Sequence, residues 1–254
     1  MLRRTALDAG RLGRRKHIVH ALIEVDVTAP RATIREHLAA TGEKLSFTAW
    51  VIYCLGRAIA LHPHLHAYLS WRRRVVIFEH VTINTMVEVE AGGISLPMPH
   101  VLKRVDQRDY RDISAELRSV QRNPRDTPGW QYLHRMLRLP GVVRRSFAWV
   151  VTRVPRSFRA HSGSVLVTAV GMFGDGSGWG IPKPSQTLTV TLGGIAEKPG
   201  IIDGRIEPRE VLNVTISIDH DIVDGAPAAR FIDEFRRRLE RGIVNDEAPE
   251  PSLD

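Results

Sequence analysis

Near its C-terminus the chain reads SIDHDIVDGAPAARF, from Ser217 to Phe231. Two readings of this stretch are open. In the first, Asp224 ahead of Gly-Ala-Pro is a helix N-cap and His220 is a satisfied histidine at a strand end. In the second, His220 is a general base. A neutral imidazole, with a reference pKa of about 6.5, removes a proton from a thiol or hydroxyl as it attacks a carbonyl. A thiol with a pKa of about 8.5 needs only modest help to become a nucleophile. Asp224 then holds the loop while capping the helix, so its two roles are compatible.

Working outward, the motif is entered by a run with strand alternation, REVLNVTISID, and left by a helix from Ala226 to about Arg241. That helix places Ala228, Phe231, Ile232, Phe235 and Leu239 on one side, with Arg and Glu on the other. Upstream, QTLTVTLGGI is a strand joined to REVLNVTISID through KPGIIDGRIEP, a hairpin connection with Asp203-Gly204 at its tip. GSVLVTAVG, which contains Thr168, is another strand.

At the other end, ALIEVDVT alternates as a strand, with Leu22, Glu24 and Asp26 on one face and Ile23, Val25 and Val27 on the other. Thr28 is the expected N-cap of a helix through about Ala40, with Pro30 in its first turn. A second helix, from after Ser46 to about Leu61, is apolar almost all round and so belongs inside; Pro63 ends it. VVIFEHVTINTMVEVE reads as one strand and ISLPMPHV as its hairpin partner. DYRDISAELRSVQR is an amphipathic helix carrying Ile113, Leu117 and Val120. Helices and strands mix without a regular βαβ repeat, which points to an α+β layered domain.

The chain has 254 residues and 43% hydrophobic content, ample for a core, and no apolar run long enough to cross a bilayer. Its first sixteen residues are basic but lack the apolar centre of a secretory signal. Cys54 is the single cysteine, so no intrachain disulfide exists; in FTAWVIYCLGRAIAL it reads as a buried small hydrophobe in a protein of the reducing cytoplasm. The organisation expected is a basic segment over 1–16, a domain over 17–243 and a tail over 244–254. A formal net charge of +8 calls for an anionic partner without choosing among nucleic acid, acidic lipid, acidic protein and a phosphate-bearing cofactor.

One segment stands apart. Between Gln131 and His161 there are seven arginines and no acid, with Val143, Phe147, Val150, Val151 and Val154 at helical spacing. This is an inserted helix packing on the domain, or an interfacial helix that contacts a membrane surface. Separately, His62, His64 and His66 in HPHLHA have the H-x-H spacing of a zinc site, though the stretch also reads as an ordinary turn after a helix; no metal is expected there.

The motif also resembles the C-terminal signature of the acyltransferase catalytic domain of the 2-oxoacid dehydrogenase complexes, D-H-R-x-x-D-G-A-x-x-A-R-F. Asp219, His220, Asp224, Gly225, Ala226, Ala229, Arg230 and Phe231 match it. Colinear segments are similar too: Ile23 to Thr28, Lys44 to Ala67, His80 to His100, GMFG at Gly171 to Gly174, and the GGI…DGRIEPR run. About four fifths of the chain is covered. The resemblance implies a chloramphenicol acetyltransferase-like fold, a mixed sheet flanked by helices, assembled as a homotrimer. It implies transfer of an acyl group between coenzyme A and a thiol such as dihydrolipoamide, at a site shared between subunits. His220 would be the base and Asp224 its orienting partner. Thr168, at the place of the serine in the family's T-I-S-N-L-G, would donate to the oxyanion; from the sequence alone it is only a β-branched strand residue. The anionic partner would then be acyl-CoA and not nucleic acid.

Three departures accompany the match. The family's Arg after the histidine is Asp221, which reverses a charge beside His220 and is expected to favour its protonated form. DGSGWGIPKP, from Asp175 to Pro184, replaces an apolar run and reads as a turn or a phosphate cradle. The arginine-rich segment replaces a short link. No D-K-A lipoylation site is present, so a lipoyl domain would have to come from another chain. Two other functions stay open: acetylation of a small-molecule hydroxyl or amine, and a trimeric scaffold without catalysis.

Overall fold

In the computed structural model, residues 16–91, 94–124, 153–170 and 176–243 are described, with 127, 131, 139–140, 142–143, 146, 149 and 151. The basic segment before Lys16, the tail after Ile243, GMFG and most of the arginine-rich segment lie outside the described residues.

Strand β1 (Ile18–Asp26) leads into helices α1 (Thr28–Thr41) and α2 (Phe47–Leu61), a 3-10 turn (Pro63–His66) and the short strands β2 (Tyr68–Leu69) and β3 (Val75–Val76). Then follow β4 (Ile83–Ala91), β5 (Ile94–Leu102), α3 (Tyr110–Arg122), α4 (Pro155–Ser162), β6 (Val165–Ala169), β7 (Leu188–Ile202), β8 (Arg205–Asp219) and α5 (Gly225–Glu240). Six strands form one sheet in the order β1-β8-β7-β6-β4-β5. Its central pairs, β4–β6 and β6–β7, are parallel and the outer pairs antiparallel, so the sheet is mixed. The long β7–β8 hairpin turns at Asp203-Gly204, both at positive φ (47° and 79°), as a tight primed turn demands.

Alternation decides which face each strand residue takes. Ile83, Val165, Val167, Leu188, Val190, Ile216 and Ile218 meet α2, α3 and α5 in one core. Helix α2 is buried almost all round, and Trp50 sits edge-on to Tyr110 of α3 while its Nε1 donates to Leu239 O of α5. Ser46 caps α2, its Oγ accepting from Ala49 N at 3.3 Å. Cys54 is buried in this helix.

Two local expectations fail for the same reason, competition from remote partners. Thr28 is the first helical residue and not the cap, which falls on Val27. Its hydroxyl donates to Asp26 Oδ1 (2.6 Å) and accepts from Glu210 N (2.9 Å), tying β1 to β8. The run from Val75 to Glu90 is not one strand. Val81 N donates to Asp106 Oδ1, Thr82 O accepts from Ser164 N, and Phe78 turns inward, so Ile77–Thr82 leaves the ladder and pairing resumes at Ile83.

Candidate active site

Asp219 is the last residue of β8 and pairs with Ile18 of β1. That register brings the two residues before β1 against the motif. Lys16 Nζ lies 2.5 Å from Asp219 Oδ2, both largely shielded from solvent. His17 O accepts from His220 N at 2.8 Å, and His17 Nδ1 lies 2.8 Å from Asp221 Oδ1. Asp219 Oδ1 in turn accepts from Asp221 N. Three consecutive motif residues are therefore held by Lys16 and His17, leaving the His220 side chain exposed at the strand end. The sequence pattern missed both residues. Their signal was two basic groups just ahead of β1, opposite two acids just after β8, which becomes readable only once those strands are paired.

The partner seen for Asp221 is His17. Its carboxylate turns to His17, raising that imidazole's pKa above 6.5 through their hydrogen bond and charge attraction. Asp224 stands at the N-cap position of α5 with extended backbone (φ −76°, ψ 166°), and Ala228 N donates to its carbonyl. Its side chain, however, makes no cap hydrogen bond, which corrects the capping role read from the sequence. The carboxylate faces solvent instead.

Thr168 lies on β6, in register with Thr191 of β7, which pairs with Thr215 of β8. These three threonines share the sheet face opposite the helices, with Thr189, Ser217 and Asn213. Within one chain His220 and Thr168 do not meet. Two strand spacings and five residues along β8 separate their backbones by roughly 20 Å.

DGSGWGIPKP is neither a plain turn nor a cradle. Residues 176–180 run over the Thr168 face where β7 is irregular between Leu192 and Ile195. Gly178 O accepts from Gly194 N (3.1 Å), Ser177 Oγ accepts from Asn213 Nδ2 (3.3 Å) and Trp179 Nε1 donates to Ile23 O (3.4 Å). A Cβ on Gly193 would stand 2.0 Å from Gly178 O, so glycine is required there by the close approach. The segment thus offers a carbonyl to the sheet rather than a ring of N–H groups to an anion.

Of the three histidines after α2, His64 is exposed and the other two have different aromatic neighbours. His62 meets the Phe231 ring edge-on, His66 is buried near Phe78, and burial pushes the His66 pKa down to about 4. No cluster of three metal-ligating side chains occurs among the described residues.

Comparison with known proteins places this geometry. The profile of the 2-oxoacid dehydrogenases acyltransferase (catalytic domain) family matches residues 14–128 and 159–244, and the chain belongs to that family. The unmatched gap falls on the arginine-rich segment. A dihydrolipoyllysine-residue acetyltransferase component of the Zymomonas mobilis pyruvate dehydrogenase complex is 24% identical over 90% of the chain and 46% of its own length. The chain spans about half the length of the curated relatives it matches. Among solved structures, a probable dihydrolipoamide acetyltransferase from Listeria monocytogenes superposes with a TM-score of 0.69 at 20% identity, covering 97% of this chain and 94% of that one. Azotobacter vinelandii dihydrolipoamide acetyltransferase gives 0.68 at 17%, covering 94% and 88%. A chloramphenicol acetyltransferase gives 0.51 at 15%, covering 91% and 94%. The fold expected from the resemblance is the fold observed.

Proposed function

We propose that this chain is the catalytic portion of an acyltransferase that moves an acyl group between coenzyme A and a thiol such as dihydrolipoamide. His220 is its general base and Thr168 its oxyanion donor. As the thiol sulfur attacks the thioester carbonyl, the His220 imidazole takes the thiol proton. The tetrahedral oxyanion accepts from the Thr168 hydroxyl. Collapse expels the CoA thiolate, which recovers the proton from the imidazolium, so atoms and charge balance. Transfer is direct, with no acyl-enzyme, and Cys54 lies inside α2 where it cannot attack.

The observation that carries this reading is a spacing. The Azotobacter enzyme was studied for the roles of a serine, a histidine and an asparagine in its catalytic mechanism. There the histidine follows the serine by fifty-two positions and the asparagine follows the histidine by four. His220 follows Thr168 by the same fifty-two and Asp224 follows His220 by the same four. Because His220 and Thr168 of one chain stand roughly 20 Å apart, the site is assembled from two copies, consistent with a homotrimer. The lipoyl domain that would present the thiol comes from outside this sequence. A cytoplasmic location belongs to the same reading and is supported only by the single, buried cysteine.

The test is release of CoA from acetyl-CoA with free dihydrolipoamide. His220→Ala should lower the rate by roughly 10²–10⁴. Thr168→Val should lower it by roughly 10²–10³, with Thr168→Ser restoring most of the loss. A His220→Ala protein as active as the parent would sink the reading.

A further inference from the structure

The β2–β3 hairpin lies outside the acyl-transfer site and is not used by it. Its tip is ordered: Ser70 O accepts from Arg73 N, Ser70 N donates to Arg74 O, and Ser70 Oγ accepts from Arg74 N. What the tip presents is Trp71-Arg72-Arg73-Arg74, all four exposed. Arg73 adopts positive φ (57°), a position that favours glycine, so the chain keeps a cation where the backbone would prefer none.

Arg153 and Trp149 of the arginine-rich segment meet this tip. The Arg153 guanidinium stacks over Trp149 at 3.9 Å and over Trp71 at 5.5 Å, while Arg72 covers Trp71 at 4.9 Å. Both tryptophans stay more than half exposed (59% and 56%). Val75 of the hairpin and Val142 and Val154 of the arginine-rich segment are exposed as well. The sequence supplies no acid from Ser70 to Phe78 and none from Gln131 to His161.

We propose that this hairpin tip, with Trp149 and Arg153 beside it, docks on an anionic phospholipid bilayer. Tryptophan belongs at the boundary between headgroups and acyl chains, and arginine pairs with lipid phosphate while its stem stays among apolar groups. Exposed valines have no use for a nucleic acid, which is read by stacking and hydrogen bonds, but they suit acyl chains. No helix among the described residues is long and apolar enough to cross a membrane; the contact proposed is a peripheral one. The inference stands apart from the acyl-transfer reading, since none of its residues acts there.

The experiment is co-sedimentation of the full chain with vesicles of phosphatidylcholine alone or mixed with phosphatidylglycerol, followed in parallel by tryptophan emission. Binding should require phosphatidylglycerol, weaken with salt and shift the emission to the blue. The double variant Arg72→Ser, Arg74→Ser should lower partitioning by roughly ten-fold or more. Trp71→Ala should remove part of the emission shift. Circular dichroism and CoA release, unchanged in these surface variants, separate a lost contact from a lost fold. Equal binding to both vesicle types, or none to either, overturns the inference. So does a variant-sensitive shift on duplex DNA by a protein that ignores vesicles, which would assign the patch to nucleic acid.

Discussion

Where β7 and β8 run through the body of the sheet, over Leu188–Leu192 and Leu212–Ile218, their two faces are equally hidden from solvent and chemically opposite. On the helix side Leu188, Val190, Ile216 and Ile218 are fully packed. On the other side Thr189, Thr191, Asn213, Thr215 and Ser217 are exposed by 2% or less. Only part of that polar layer is satisfied. Ser217 Oγ pairs with His20 Nδ1 and Asn213 Nδ2 donates to Ser177, but among the described residues the hydroxyls of Thr189, Thr191 and Thr215 have no partner. A buried hydroxyl without a partner costs stability, so this face has been kept polar against its own packing. It is also the face that carries Thr168. The aliphatic face packs against the helices; the threonine face is the one to which the proposed chemistry is assigned.

The largest blow to this division falls at its charged end. Asp219, itself buried, continues the polar row beyond Ser217, and the largely shielded Lys16 is its counter-charge. Lys16→Met leaves that carboxylate buried and unpaired, which typically costs about 3–5 kcal/mol. Chemical denaturation should show that loss, and CoA release should fall with it because the same contact fixes the His220 loop. A loss under about 1 kcal/mol would mean that the pair is solvated after all.

A reciprocal exchange sharpens the comparison at its centre. Val190→Thr places a hydroxyl among aliphatic side chains and should cost about 1–3 kcal/mol. Thr191→Val, one residue on, removes a hydroxyl that had no partner while keeping the shape. It should be neutral or stabilising by up to about 1 kcal/mol. Thermal melts of the two variants should move in opposite directions or differ clearly in size. Equal losses would show that Thr191 has a partner that only the assembled protein supplies.

Alternation made much of this readable in advance. In LNVTISID the apolar and polar residues take opposite faces as the pattern requires, and Ser46, Pro63 and Asp203-Gly204 mark their boundaries by local chemistry alone. What alternation cannot say is that the polar face is covered too. That depends on Gly178 meeting Gly193 and on Trp179 reaching Ile23, contacts between segments distant in sequence. The same holds for Ile77–Thr82, taken from the ladder by Asp106 and Ser164. At the site, His220 and Asp224 stood out by spacing, and Thr168 only by colinear similarity. Lys16 and His17 carried no local signal, being 203 and 204 residues from their partners. A charge adjacent to a base in sequence can find its partner far along the chain, as Asp221 shows by pairing with His17.

That last pair yields the smallest and most specific effect. The hydrogen bond and charge of Asp221 raise the pKa of His17 above its ordinary 6.5. A group whose pKa is higher folded than unfolded contributes its stabilisation fully below the unfolded value and loses it as pH rises through the folded one. The His17–Asp221 contact therefore holds the motif in mildly acidic solution and loosens above the raised pKa of His17. His17 is exposed, so global stability should barely register the change. Proton NMR of the imidazoles should. In the parent protein His17 should titrate above 6.5, and in Asp221→Asn its pKa should fall back toward that value, while His17→Gln should remove that titration altogether. If His17 titrated alike with and without the Asp221 carboxylate, the aspartate would be free to face His220. The charge reversal at this position would then act on the His220 imidazole itself instead of on the residues before β1 that hold its loop.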